Sequence, residues 1–167
     1  IDFNTVTKTK EVKKEQEVLG GTFDKSNYVA ERLWATADDG IKIPISLVRH
    51  IDTEMTSKTP LLQYGYGSYG NTIDPYFSSV RLSLLNRGFV FAIAHVRGGE
   101  YLGRTWYESG RQLAKKNTFT DFIACSKLLI DESYTSPGHW YAMGCSAGGL
   151  LMGAIMNMAP ELYKWVV

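Results

Sequence analysis

The chain has 167 residues, 44% of them hydrophobic, and a formal net charge of +1. These values predict one globular domain at most, with enough apolar material for a core. The balanced charge gives no reason to expect nucleic acid or an anionic membrane as a partner. No apolar stretch approaches the length of a membrane span, and no secretory signal is visible.

Residues 1–19 are polar, with a loose alternation that fits one or two exposed strands of a neighbouring domain. Gly20-Gly21 and the turn-like stretch 24–27 then indicate a boundary near residue 25. We therefore divide the chain into 1–24, expected to be the end of one domain or a linker, and 25–167, expected to be part of a second domain.

Both ends of the chain resemble cut points. The first residue is Ile1 rather than methionine, and the last three, Trp165-Val166-Val167, are typical of the opening of a strand. We expect the sequence to be a piece of a longer protein.

From Tyr28 the pattern predicts a β-hairpin, because apolar residues recur at every second position on both sides of Asp39-Gly40. Asp-Gly is a dipeptide that two-residue type I′ turns prefer, since both central residues need a positive φ. The alternating apolar residues are Leu33, Ala35, Ala37, Ile41, Ile43, Ile45 and Leu47.

A short buried strand is predicted at Leu61–Tyr64, followed by a loop, Gly65–Gly70, that is too rich in glycine for regular structure. Asp74-Pro75 is expected to begin a helix that ends at Gly88. The continuous apolar run Phe89–Val96 is typical of a strand covered on both faces. The expected apolar stripe of the helix is Phe77, Val80, Leu84 and Leu85.

Three further helical segments and a strand complete the pattern. Trp106-Tyr107-Glu108 is expected to begin a short helix. Thr118 and Asp121 resemble a capping box that opens a helix to about Glu132. A strand from His139 to Met143 then precedes an apolar helical stretch. This alternation of strands and helices predicts an α/β fold, with a mostly parallel sheet covered by helices on both faces. The expected buried residues of the longer helix are Phe122, Cys125 and Leu129.

The sequence Gly144-Cys145-Ser146-Ala147-Gly148 lies between that strand and the apolar helical stretch. Glycines on both sides of a serine suit a sharp turn in which a larger side chain would collide. In this setting Gly-x-Ser-x-Gly is the nucleophile elbow of α/β-hydrolases, which predicts Ser146 as a catalytic nucleophile. The alternative is an ordinary structural turn of small residues.

A serine hydroxyl needs a base, usually a histidine oriented by an acid. The three histidines, His50, His95 and His139, all precede Ser146, whereas the order in α/β-hydrolases is serine, acid, histidine. We expect His95 to be packed or to support the site indirectly, and the other two to be solvated strand ends. The acid and the base are therefore expected beyond Val167.

The charge that develops on an attacked carbonyl oxygen requires donors. One is expected to be the backbone N–H of Ala147 at the start of the helix, and a second to come from the loop after an early strand. Gly65-Tyr66-Gly67 occupies that place, and flanking glycines would let Tyr66 turn its hydroxyl toward the site. A buried or merely stacked Tyr66 is the alternative.

The two cysteines, Cys125 and Cys145, are too few for a disulfide framework and favour a reducing, cytoplasmic setting. Cys125 falls in a helical pattern and is expected to be a small buried hydrophobic residue. Cys145 is interpreted as a small residue tolerated beside Ser146 rather than a redox or catalytic thiol, because no metal-ligand spacing surrounds it.

Taken together, several motifs resemble the prolyl oligopeptidase family of serine peptidases, and within it the oligopeptidase B type. The resemblance runs in register over about residues 17–167. Its motifs are Tyr64-Gly-Tyr-Gly-Ser-Tyr-Gly70, Arg87-Gly88-Phe89, His95-Val-Arg97-Gly98-Gly99, Trp106-Tyr107-Glu108, Asn117-Thr-Phe119 and Gly144-Cys-Ser-Ala-Gly-Gly149.

The resemblance implies an α/β-hydrolase domain, incomplete at its C-terminus, and preceded by the last strands of a β-propeller within residues 1–24. It implies cleavage of short peptides after Arg or Lys, with no metal or organic cofactor, by Ser146 with Tyr66 and the Ala147 N–H as oxyanion hole. The sequence departs from the pattern at Glu100-Tyr101, where a small residue and then Glu are usual, and at Cys145.

Two other functions are compatible with the same motifs. One is a carboxylesterase or lipase-like α/β-hydrolase. The other is a hydrolase-like module kept for binding or assembly, in which Ser146 has no catalytic task. As a peptidase, the chain alone is expected to be essentially inactive, because the acid and the base are expected beyond Val167.

Overall fold

A computed structural model describes residues 1–15, 17–19, 21 and 23–167. Gly20, which belongs to the predicted boundary, lies outside the described residues. The strands are β1 (Asp2–Phe3), β2 (Lys10–Glu11), β3 (Tyr28–Thr36), β4 (Lys42–His50), β5 (Leu61–Tyr64), β6 (Val90–Ala94), β7 (Trp140–Met143) and β8 (Trp165–Val166). The helices are α1 (Ser79–Leu85), α2 (Arg104–Glu108), α3 (Lys116–Asp131) and α4 (Ala147–Met158).

Six strands form one mixed sheet in the order β3-β4-β6-β5-β7-β8. The hairpin β3–β4 and the pair β4–β6 are antiparallel, and the remaining three pairs are parallel. Helices follow β5, β6 and β7 because parallel neighbours need crossover connections. The predicted α/β sheet is therefore confirmed, with β5 at the centre of its parallel part. A separate, exposed two-stranded sheet, β1–β2, precedes it.

The sheet is covered on both faces. Helices α3 and α4 pack on one face, where Phe122, Leu129, Leu151 and Ile155 are fully buried against Ile45 and its neighbours. Helix α1 packs on the other face in a smaller cluster around Leu85, Phe91 and Ile93. Among the described helices, none is both long enough and apolar enough to cross a membrane.

The hairpin turn differs from the predicted type I′. Gly40 has φ of 82°, but Asp39 is not among the residues with positive φ. The Gly40 N–H donates to Ala37 O, and Ala37 N–H donates to Ile41 O, so the loop is one residue longer than expected. A turn that ends in one left-handed glycine is typical of a three-residue hairpin loop. In this loop the carboxylate of Asp39 points toward Arg97.

Helix α1 begins at Ser79, so the predicted start at Asp74-Pro75 is wrong. The intervening segment is irregular because Phe77 packs against the ring of Phe23, with centroids 4.9 Å apart, rather than along a helix face. The buried stripe is correspondingly different. Val80 is 83% exposed, whereas Leu85 is buried and Leu82 packs beside it.

The capping box predicted at Thr118 and Asp121 is also wrong. Helix α3 begins earlier, at Lys116, and Thr118 and Asp121 are both fully buried inside its first turns. Each makes hydrogen bonds to Arg97 instead of to the helix terminus. Helix α2 exists as predicted, but it begins at Arg104 and ends at Glu108, so Trp106-Tyr107-Glu108 forms its end rather than its start.

Candidate active site

The ends of two neighbouring strands define the site. β5 and β7 are adjacent and parallel, with Tyr64 opposite Met143 at their carboxyl ends. The loop Gly65–Gly70 and the turn around Ser146 therefore leave the sheet side by side, and the N–H of Gly65 still donates to Met143 O at 3.2 Å. Ligands of open α/β sheets bind at such carboxyl ends.

Ser146 occupies the sharp turn between β7 and α4. Its backbone has φ of 57° and ψ of −116°, a conformation that L-residues rarely adopt, and the residue is exposed. The turn is tight because a methyl group at Gly144 would lie 2.4 Å from the carbonyl oxygen of Gly148. Strained backbone of this kind costs about 1–3 kcal/mol and is concentrated at functional sites.

Helix α4 presents its first N–H groups at this turn. The Gly148 and Gly149 N–H groups donate to Cys145 O and Ser146 O, at 2.8 and 2.9 Å. Ala147 is the first helical residue, so its N–H has no acceptor within the helix. The partial positive charge of the helix N-terminus therefore lies beside the Ser146 hydroxyl.

Tyr66 is brought to the same place by a backbone contact. A methyl group at Gly148 would lie 2.8 Å from Gly65 O and 3.7 Å from Cδ2 of Tyr66, so the loop Gly65–Gly70 (the tyrosine loop) contacts the first turn of α4 directly. Tyr66 is partly exposed. The structure thus brings together all three residues predicted from the sequence for this site, Ser146, Ala147 and Tyr66.

The far side of the tyrosine loop is held by Lys115, in the turn that leads into α3. Its Nζ donates to the carbonyl oxygen of Gly67 and, at 2.8 Å, to Oγ of Ser68. Gly67 has φ of 66°, which favours glycine, and a methyl group there would lie 2.3 Å from Cγ2 of Thr118. The N–H of Gly70 donates to Gly98 O at 3.1 Å.

A buried ion-pair network centred on Arg97 supports the tyrosine loop. Arg97 Nη2 and Nε donate to the two carboxylate oxygens of Asp121, at 2.6 and 2.8 Å, and Nη1 donates to Asp39 at 2.6 Å. Thr118 Oγ1 donates to Arg97 O at 2.6 Å. The hydrogen bonds that Arg97 donates to Asp121 and Asp39 raise the pKa of its guanidinium above the usual range, so the group is charged. This network links the hairpin turn, the end of β6 and α3.

Tyr64, the last residue of β5, borders the site. Burial raises the pKa of its phenol, and the neighbouring Cys145 and Tyr66 side chains act in the same direction. Cys145 is exposed beside Ser146, whereas Cys125 is buried, and burial raises the pKa of the Cys125 thiol well above its usual value. The prediction that Cys125 is a small buried residue is confirmed.

The three histidines lie elsewhere. His95 is buried, with Nε2 2.7 Å from Ser46 Oγ and its ring stacked on Tyr101 at 3.7 Å between centroids. Burial lowers the pKa of His95 to about 3. His50 Nδ1 accepts a hydrogen bond from the Asp52 N–H at the end of β4, and His139 Nδ1 lies 3.4 Å from Ser136 Oγ. His95 is packed, as the sequence predicts. Within the described part of the chain, no group of three His, Cys, Asp or Glu side chains is placed to hold a metal ion.

Comparison with known proteins assigns the family. A model of the prolyl oligopeptidase family matches residues 75–167, more than half of the chain. The chain belongs to the prolyl oligopeptidase family. It is 51% identical over 167 residues to dipeptidyl aminopeptidase BI of Pseudoxanthomonas mexicana, and 51% identical over 149 residues to Protease 2 of Moraxella lacunata. These matches cover 99% and 89% of the chain, but only 23% and 22% of the relatives.

Solved structures agree with the fold. Oligopeptidase B from Leishmania major superimposes with a TM-score of 0.85 at 52% identity, over 88% of this chain and 20% of that one. A post-proline cleaving enzyme from Rickettsia typhi superimposes with a TM-score of 0.86 at 36% identity, over 90% of this chain and 22% of that one. The predicted α/β-hydrolase fold is confirmed, and this prolyl oligopeptidase family chain spans about a fifth of the structures that it matches.

The sequence patterns did not predict the residues that hold the tyrosine loop, namely Lys115, Arg97 and Asp121. A signal for one of them was present. Asp121 precedes Cys125 by one helical turn, so a carboxylate falls on the buried face of α3. A buried carboxylate needs a cationic partner, and Arg97, at the end of a buried strand, was available. No comparable pattern marks Lys115.

Proposed function

We propose that this chain forms the first part of the catalytic domain of a serine peptidase, and that Ser146 is its nucleophile. One observation carries the proposal. An exposed serine with a strained backbone lies at the N-terminus of a helix, next to a loop that presents a tyrosine. Membership of the prolyl oligopeptidase family supports the peptidase over a carboxylesterase or a module without catalysis.

In the proposed mechanism, Ser146 Oγ attacks the peptide carbonyl carbon while its proton passes to a histidine outside this chain. The oxygen that becomes negative accepts hydrogen bonds from the Ala147 N–H and the Tyr66 hydroxyl. Collapse of this intermediate, with the proton passed from the histidine to the leaving nitrogen, expels the amine and leaves an acyl-enzyme on Ser146, which water hydrolyses. An acid that orients the histidine also lies outside the chain in this proposal.

The proposed substrates are short peptides cleaved after Arg or Lys, in the cytoplasm and without a metal or organic cofactor. The similarity to Protease 2 and to oligopeptidase B structures supports this preference. Two free cysteines support the location. We also propose that residues 1–24, with their exposed sheet β1–β2, belong to the end of a preceding β-propeller or to a linker, and that the catalytic domain begins at residue 25.

Dipeptidyl aminopeptidase activity is a second candidate, because the relative with that name matches 99% of the chain at 51% identity. The two activities differ in their demand for a free amino terminus. Hydrolysis of an arginyl substrate with a blocked amino terminus would support the oligopeptidase, and hydrolysis restricted to unblocked dipeptidyl substrates would support the aminopeptidase.

The nucleophile is tested in the full-length protein with a fluorophosphonate probe and a blocked arginyl amide. We expect the wild type to be labelled, and Ser146→Ala to lose both the label and about 10⁶ in turnover. Ser126→Ala is a control, since that hydroxyl is buried against Gln63. A wild type that takes no label would favour the non-catalytic module. Preference for simple carboxylic esters with no amide hydrolysis would favour the esterase.

A further inference from the structure

The ammonium group of Lys115 donates its hydrogen bonds to uncharged oxygen atoms. Its Nζ donates to Gly67 O and Ser68 Oγ, the two residues that directly follow Tyr66. The side chain is half-buried, and its Nζ lies 6.0 Å from the centroid of the Phe119 ring. Partial burial of an ammonium carries a desolvation cost, so its hydrogen bonds to the tyrosine loop offset a real penalty.

The two sides of Tyr66 are held differently. On the N-terminal side, Gly65 continues the sheet through its bond to Met143 and rests on α4. On the C-terminal side, the carbonyl of Gly67 faces Lys115, while Thr118 Oγ1 is 3.5 Å away and bonds more closely to Arg97 O. Of the side chains that bond to Gly67 and Ser68, Lys115 therefore makes the shorter contacts, in addition to the backbone bond from Gly70 to Gly98.

We propose that Lys115 is a positioning residue for the proposed reaction, which holds the Tyr66 hydroxyl at the place where the oxyanion forms. The inference rests on the proposed function, because it assigns Lys115 a role through Tyr66. Loss of the ammonium would leave substrate binding in place and weaken stabilisation of the transition state. A displacement of about 1 Å in such a group can reduce turnover by about 100-fold.

The test is a double-mutant cycle in the full-length protein, with kcat and KM measured on a blocked arginyl amide. Tyr66→Phe should lower kcat by about 10²–10³-fold. Lys115→Met keeps the apolar stem and should lower kcat by about 10–100-fold, with KM changed by less than about threefold. In the Tyr66→Phe background, Lys115→Met should have less than about a threefold further effect. Lys116→Met, at the exposed neighbouring lysine, is the matched control.

The outcomes separate the two proposals. If Ser146→Ala and Tyr66→Phe leave activity intact, the proposed function fails. If Tyr66→Phe has its expected effect but Lys115→Met changes kcat by the same factor in both backgrounds, or not at all, only the role of Lys115 is overturned. Lys115→Gln, which retains a donor, replaces the methionine variant in the same cycle if that variant does not fold, as judged by its unfolding temperature.

Discussion

At the scale of single residues, the site depends on glycines, because a side chain at these positions would collide with neighbouring backbone. Ser146 adopts a φ of 57° in a turn where Gly144 lies too close to the Gly148 carbonyl for a side chain. The same lack of a side chain at Gly148 lets the tyrosine loop rest on α4. The distance between the nucleophile and the proposed oxyanion donor is therefore set by backbone contacts, which relax less easily than side chains.

Gly148→Ala tests this dependence on a backbone contact. The added methyl group would lie 2.8 Å from Gly65 O and must push the tyrosine loop away from the turn. We expect kcat to fall by about 10–100-fold on displacement of the proposed oxyanion donors, although alanine is the better helix former by about 1 kcal/mol. Steady-state kinetics of the full-length protein provide the measurement.

Gly153→Ala is the matched control in the same helix, because nothing lies within 4 Å of a methyl group at that position. It should keep wild-type kinetics and gain a little stability from helix propensity. Equal kinetics in both variants would show that the contact at Gly148 does not set the geometry of the site.

At the scale of elements, the site forms because β5 and β7 are adjacent strands. The ion-pair network that supports it forms because three segments distant in the sequence meet at Arg97. That residue follows β6, Asp121 lies in α3 and Asp39 in the β3–β4 turn. A buried pair of this kind adds little net stability, but removal of one partner leaves the other charge unpaired.

Arg97→Met would leave the Asp121 carboxylate, which is fully buried, without its cation. We expect a loss of about 3–5 kcal/mol in the local opening free energy of β6 and α3, measured by amide hydrogen exchange of the full-length protein. Asp39→Asn is the control, because Asp39 is 46% exposed and its pair should contribute less than about 1 kcal/mol. Comparable losses in the two variants would contradict the assigned importance of the Arg97–Asp121 pair.

The elements show what the sequence could predict. Period-two alternation and continuous apolar runs located β3 to β7, and the glycines around Ser146 and Tyr66 located the two loops that meet. Local sequence patterns gave wrong helix starts where contacts between residues distant in the sequence determine the structure. Phe77 packs on Phe23, and α1 begins later in the chain than predicted. Thr118 and Asp121 bond to Arg97 instead of capping α3. A capping box and a buried polar pair use the same residue types, so only the fold distinguishes them.

At the scale of the whole molecule, the fold buries a titratable side chain, His95, that has no part in the proposed chemistry. His95 is 4% exposed, with Nε2 bonded to Ser46 and Nδ1 without a partner among the described residues. Burial, reinforced by the nearby Arg32 charge, lowers its pKa from 6.5 to about 3. The folded protein therefore keeps this histidine neutral at a pH where the unfolded chain has already bound a proton.

The consequence is a loss of stability in mild acid. Above pH 6.5 the contribution of His95 is complete; as the pH falls from 6.5 toward 3, protonation favours the unfolded chain. The loss can reach about 3 kcal/mol by pH 4. His95→Gln can keep the bond to Ser46 without titrating, so its unfolding temperature should fall less steeply than that of the wild type between pH 7 and 4. Parallel curves for the two proteins, followed by tryptophan fluorescence, would show that His95 is not responsible for acid sensitivity.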